Sequence, residues 1–215
     1  MRNKSAQRLL ITALALLTIG APPSPAQNTY QQEADRLAKF LQWRSGSVVA
    51  EIGAGAGQLT VIAANRVGPG GKVYSTELGP KKVAHLKDIA AKQPNITVVL
   101  AAVSDTNLPH HCCDSIFMRL VYHHLTDPKA IDASLFRALK SGGLLAVIDE
   151  NPRKGTTIPP GVPKNRGGHG VPQRILIREM TASGFRVNHI DNNWPARDAY
   201  HDIYCVVFEK PRASR

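Results

Sequence analysis

Cysteine is scarce in this sequence: Cys112, Cys113 and Cys205 are the only three in 215 residues. Three cannot make a disulfide framework, and adjacent cysteines rarely bridge because the geometry is strained. No Cys/His set stands at ligand spacing, so no metal is expected. Aromatic residues are few, 6%, and the basic residues are scattered, without the clustered stripe or interleaved aromatics of a nucleic-acid binder. Long apolar runs are missing as well. Past residue 26 nothing approaches the roughly 20 residues of a membrane span, and there are no internal repeats.

The one short apolar run stands at the start. Arg2, Lys4 and Arg8 precede Leu9–Gly20, and "APPSPA" (Ala21–Ala26) follows with small residues. Ser24 and Ala26 occupy the −3 and −1 positions of a cleavage after Ala26, the layout of a secretory signal. Residues 1–26 are therefore expected to direct the chain to the periplasm or outside the cell; an uncleaved membrane anchor is the alternative. Residues 27–215 are one domain's worth, long enough for a single large core. Of the formal charge of +11, three units lie in the first 26 residues. The basic remainder fits an anionic small-molecule partner, or simply solubility. It carries no information on oligomeric state.

After a lead-in helix over 29–43, strand and helix alternate. Strands are expected at 47–52, 72–77, 95–100, 115–122 and 144–149. Helices are expected at 57–67, 80–93 and 127–140, the last ended by Gly142–Gly143, and a further helix at 172–184 precedes strands at 185–190 and 202–210. Short apolar strands alternating with helices predict an α/β fold: a three-layer, Rossmann-like, doubly wound, mostly parallel sheet, here with an antiparallel final strand. Residues 151–171, with Pro152, Pro159, Pro160, Pro163 and many glycines, cannot be a regular element. A loop of that length inside a domain is usually functional or disordered.

"VVAEIGAGAGQLT" (48–60) sets a glycine loop between the first strand and the next helix, where ligands bind in such sheets. Gly53, Gly55 and Gly57 are spaced G-x-G-x-G. A dinucleotide fingerprint needs a third glycine where Gln58 stands. Glu51, two residues before the loop, would repel a pyrophosphate but suits a cationic amine. S-adenosylmethionine (SAM) carries an ammonium and a sulfonium and no phosphate. Glu77 ends the second strand, where an acid can accept both ribose hydroxyl protons.

"VVAEIGAGAGQLT", "KVYSTE", "LVYHHL" and "LKSGGLLAVIDE" together resemble the motif series of class I SAM-dependent methyltransferases, and are similar to the small-molecule enzymes of quinone biosynthesis and arsenite methylation. The resemblance covers residues 30–209. It implies that Glu51, Gly53, Gly55 and Gly57 hold the methionine part, Glu77 the ribose, and the backbone near Leu120 the methionine amine. Relatives present an acid before "LP" to the adenine amino group. Here "SDTNLP" puts Ser104 at the usual position and Asp105 one residue later. Arg119, charged within an apolar strand, either reaches the site or makes a structural ion pair.

Methyl transfer needs positioning, and a base when the acceptor must lose a proton. His123 and His124 follow the fourth strand, where one of them could be that base; packing is the other reading. The 151–171 loop is the expected acceptor-side lid, and Arg153, Lys154, Lys164, Arg166 and His169 could meet an anionic group. An arsenite acceptor is disfavoured, because enzymes of that type hold arsenic with several thiols and the three cysteines do not match. Two rivals stay open: an exported, non-catalytic binding module on the same fold, and a dinucleotide-dependent oxidoreductase.

Overall fold

The computed structural model describes residues 25–195 and 202–212. The export signal expected at the N-terminus lies, over residues 1–24, outside the described residues. The chain runs α1 (Pro25–Phe40), β1 (Val48–Ile52), α2 (Gln58–Val67), β2 (Lys72–Glu77), α3 (Pro80–Ala90), β3 (Ile96–Leu100) and β4 (Cys113–Arg119). It continues with α4 (Pro128–Ala138), β5 (Leu139–Glu150), α5 (Gln173–Ala182), β6 (Arg186–Asp191) and β7 (Ile203–Glu209). The strands form one sheet in the order β3-β2-β1-β4-β5-β7-β6. β7 is antiparallel to both of its neighbours, and every other pairing is parallel. No helix among the described residues is long and apolar enough to cross a membrane.

The two-residue period of the strands divides the core. Ala50, Ile116, Met118, Leu145 and Val147 point to the face covered by α4 and α5 through Leu135, Leu176 and Met180. Val49, Phe117, Ala146 and Ile148 point to the other face, against Leu37 of α1 and Leu59, Ala63 and Val67 of α2. Each fully buried Val, Leu, Ile, Met or Phe side chain among them contributes about 1.5–3 kcal/mol, the alanines less. Helices on both faces leave one crevice at the carboxyl ends of the parallel strands, between β1 and β4, where the strand order reverses.

Two boundaries beside the crevice strands differ from the sequence reading, for physical reasons. β4 stops at Arg119, because Leu120 takes a left-handed backbone (φ 55°) and a 3₁₀ turn covers Tyr122–His124. The helix expected to run to Lys140 ends at Ala138, and β5 begins at once. Gly142 (φ 78°) and Gly143 lie inside that strand rather than ending a helix: a side chain at Gly143 would strike the Lys140 carbonyl at 2.9 Å. β7 is buried almost throughout, because it is inserted between β5 and the exposed edge strand β6.

Candidate cofactor and acceptor site

β1 ends in Ile52, and the chain turns through Gly53 (φ 67°), Gly55 (φ 59°) and Gly57 (φ 80°) into α2. The three glycines do different things. A Cβ on Gly53 would stand 2.6 Å from Val121 Cγ2, so that glycine lets the loop meet the turn after β4. Around Gly55 nothing lies within 4 Å; its backbone is open to the crevice. Gly57 abuts Leu86 and Ile89 of α3 and lines neither of the two cavities described below, so its contacts here are those of packing.

A cavity of about 390 Å³ opens beside the loop, lined by Gly53, Gly55, Glu77, Leu120 and His124 among others. Glu77 is buried; its Oε1 accepts from the Gly55 amide (2.9 Å) and Lys82 Nζ (3.2 Å), and its Oε2 from the Leu78 amide (3.0 Å). The acid that ends β2 is thus pinned to the glycine loop with its carboxylate at the cavity wall. Leu120, in its left-handed conformation, donates its backbone N–H to the Ile148 carbonyl (2.8 Å). A bulky residue in that region is a strained feature of the kind that clusters at ligand sites.

Beyond the loop a smaller recess of about 210 Å³ is lined by Tyr30, Glu51, Gly53, Gly55 and Arg119. Glu51 accepts a hydrogen bond from the Thr60 hydroxyl, which also contacts Ser75 Oγ at 2.9 Å. Burial pushes the Glu51 carboxyl up to about 8, against the Thr60 bond and the Arg119 charge, which lower it. The sequence left two readings of Arg119 open, and both hold. Its Nε donates to Glu33 Oε2 of α1 (2.6 Å), an acid that also accepts from Trp194 Nε1 (3.0 Å). Its Nη2 is buried without a partner among the described residues, on a side chain that lines both cavities. Such a group normally has something to bind.

The acid expected near adenine is placed elsewhere. Ser104 is exposed, and Asp105 is engaged by the Asn107 amide (2.8 Å), Ser134 Oγ (3.0 Å) and Arg137 Nη2 (2.6 Å). Neither lines the cavity; that wall is Ala101, Ala102, Val103 and Thr106. The one-residue shift in the motif leaves Asp105 binding the turn to α4 instead of facing the ligand.

His123 and His124 share the 3₁₀ turn but not an environment. His123 is buried, with Nδ1 2.6 Å from Asp149 Oδ1 and its amide donating to Asp149 Oδ2 (3.1 Å). His124 is exposed and lines the cavity; burial of its ring, and then the neighbouring His123 and His169, lower its pKa, so it stays neutral at pH 7. The 151–171 loop is exposed over residues 153–157 and 164–165 but pinned at particular side chains. Arg166 is fully buried, its Nη1 on both oxygens of Glu179 (3.0 and 2.9 Å), and Arg153 reaches Glu150 Oε1 (3.2 Å). Of the five basic residues expected to meet an anion, only His169 stands beside the two histidines (ring centroids 4.6 and 5.2 Å apart), while Lys154 and Lys164 are exposed. Its approach was hidden in the sequence, because the loop carries it back from a distant position.

Residues 50–147 match the family described as "Methyltransferase domain". The chain is 30% identical over 109 residues to the ubiquinone/menaquinone biosynthesis C-methyltransferase UbiE of Marinomonas sp. (strain MWYL1), covering 49% of this chain and 43% of that one. It is 23% identical over 112 residues to an arsenite methyltransferase of Halobacterium salinarum, covering 51% and 29%. The chain thus spans less than half the length of these curated relatives. Among solved structures, a SAM-dependent methyltransferase from Aquifex aeolicus superposes with a TM-score of 0.69 at 21% identity, over 87% of this chain and 94% of the other.

Proposed function

We propose that the chain, whose residues 50–147 match a methyltransferase domain and whose fold superposes on that of a SAM-dependent methyltransferase, transfers a methyl group from SAM to a small-molecule acceptor. The observation that carries this is the continuous crevice from Glu77 past Gly55 to Leu120, with the Glu51–Arg119 recess at its end. Glu77 accepts the ribose hydroxyls. Glu51 pairs with the ammonium, and the free Arg119 Nη2 with the carboxylate, so both charges of the methionine part find a partner. Adenine lies against Ala102, Val103 and Thr106. The acceptor enters on the side of His124, and the His123–His124 corner is where a hydroxyl acceptor sheds its proton. Methyl transfer then needs alignment and exclusion of water, since the leaving thioether is neutral.

Arsenite is a poor acceptor for this site. Cys112 and Cys113 sit at the start of β4, the end of the sheet away from the crevice, and Cys205 is buried in β7. No thiol lines either cavity. We further propose export directed by residues 1–26, motivated by the charges, apolar core and small residues there. N-terminal sequencing of the protein recovered from periplasm or medium should begin after Ala26; a full-length cytosolic product would exclude export.

The activity is tested with methyl-labelled SAM and an extract of the source cells. Label should appear in a small-molecule product with the wild type and fall by about 10²–10⁴ in rate with His124→Asn. SAM binding without label transfer from any extract fraction would favour the non-catalytic module.

A further inference from the structure

His123, His124 and His169 each offer a ring nitrogen, and these atoms all lie within 4.8 Å of one another. For His123 the nitrogen on offer is fixed: Nδ1 is taken by Asp149, and Nε2 is buried with no partner among the described residues. The ring itself is only 2% exposed, so an imidazole lone pair there has been removed from water without compensation. His169 repeats the arrangement, with Nδ1 3.3 Å from Glu150 Oε1 and its other nitrogen left over. A carboxylate behind each of two imidazoles is the pattern that orients metal-ligating histidines.

The backbone is built to bring His169 there. Gly167, Gly168 and Gly170 all have positive φ, and a Cβ on Gly170 would stand 2.8 Å from the Glu150 carbonyl oxygen. That close approach lets the loop pair with the end of β5: Arg153 donates to the His169 carbonyl (3.2 Å), and Val171 to that of Glu150 (2.9 Å). Charge points the same way. Asp149 and Glu150 are both fully buried, and Glu150 Oε2 has no partner among the described residues. Arg153, whose side chain is 44% exposed, is the one arginine or lysine paired with either of them among the described residues; Lys82 pairs with Glu77 instead.

We infer that His123, His124 and His169 bind a divalent zinc ion at the acceptor end of the cofactor cavity. Three imidazole nitrogens with an open fourth position suit zinc. Bonds of about 2.0–2.1 Å place tetrahedral ligand atoms roughly 3.3 Å apart. The rings must therefore close by at most about 1.5 Å, within reach of the exposed His124 and the half-exposed loop residue His169. His124 belongs both to this set and to the cavity wall, so the open position adjoins the methyl acceptor. Resting on the methyltransferase reading, the acceptor is then a molecule with a hydroxyl that can ligate zinc. The hydroxyl proton goes to solvent as the oxygen binds. That oxygen forms the new O–C bond as the C–S bond of SAM breaks, leaving S-adenosylhomocysteine.

The test uses untagged protein, stripped with a chelator, dialysed against zinc and assayed for bound metal, with S-adenosylhomocysteine binding measured on the same samples. The wild type should hold one zinc per chain. His124→Ala, at an exposed position that does not threaten folding, and His169→Ala should both lose it. Asp149→Asn should weaken zinc by about 10–100-fold, and Lys154→Ala should leave it unchanged. Substoichiometric zinc in the wild type, or zinc indifferent to His124→Ala and His169→Ala, would overturn the site while intact S-adenosylhomocysteine binding left the methyltransferase reading standing. Zinc bound and lost as expected, without S-adenosylhomocysteine binding, would support the metal site and contradict the cofactor reading.

Discussion

Burial holds the carboxyl of Glu51 near 8, so at pH 7 an incoming ammonium meets a mostly neutral acid. Pairing with a cation favours the carboxylate, so binding SAM expels a proton wherever the free protein still carries one. Affinity should therefore rise with pH below about 8, by no more than about tenfold per unit, and level off above it. The groups around Glu51 are Thr60 and Ser75 on one side and the charges of Arg119 and Glu77 on the other. A calorimetric pH series from 6 to 9 measures the rise, and Glu51→Gln should flatten it; a flat wild-type profile would remove Glu51 from the ammonium. The stability sign is opposite. A carboxyl raised from 4.5 to about 8 stabilises the ligand-free fold below 4.5, and that contribution fades as pH rises through 8.

At the scale of elements, the glycine loop separates packing from binding. Gly57 caps the start of α2 at φ 80°, and a Cβ there would stand 2.9 Å from Ile89 Cδ1. Gly57→Ala should thus destabilise by about 1–3 kcal/mol. Gly55→Ala meets open space but carries left-handed backbone strain of its own (φ 59°), about 1–2 kcal/mol; unlike Gly57→Ala it should also weaken cofactor binding. Denaturant unfolding with S-adenosylhomocysteine titration separates the two, and equal effects on affinity would place Gly57 back in the ligand wall. The loop and the acids that end β1 and β2 were legible in the sequence because each lies within a few residues of a strand end, where position fixes direction. Asp105 was not, since a single-residue shift in an irregular turn changes which neighbour its side chain meets. The partners of Arg119 and of His123 were invisible for another reason. Glu33 comes from α1 and His169 from the loop after β5, and only the closed sheet brings them to β4.

For the whole molecule, the order β3-β2-β1-β4-β5-β7-β6 puts every proposed ligand contact on one edge of the sheet, which the strand–helix alternation alone anticipated. What alternation could not convey is how that edge is closed. α1 is tied over it by Glu33–Arg119 (2.6 Å) and Arg36–Asp191 (2.8 Å), and the 151–171 loop by Arg166–Glu179 (2.9 Å). The central claim is that this edge was built for SAM rather than for a dinucleotide. Calorimetric titration of the purified protein with S-adenosylhomocysteine, and separately with NAD, tests it most directly. The account predicts one S-adenosylhomocysteine per chain, competed by SAM and weakened by about 1.5–3 kcal/mol in Glu77→Ala, with NAD binding far more weakly. NAD binding more tightly than S-adenosylhomocysteine, or an affinity for S-adenosylhomocysteine that Glu77→Ala leaves unchanged, would contradict it.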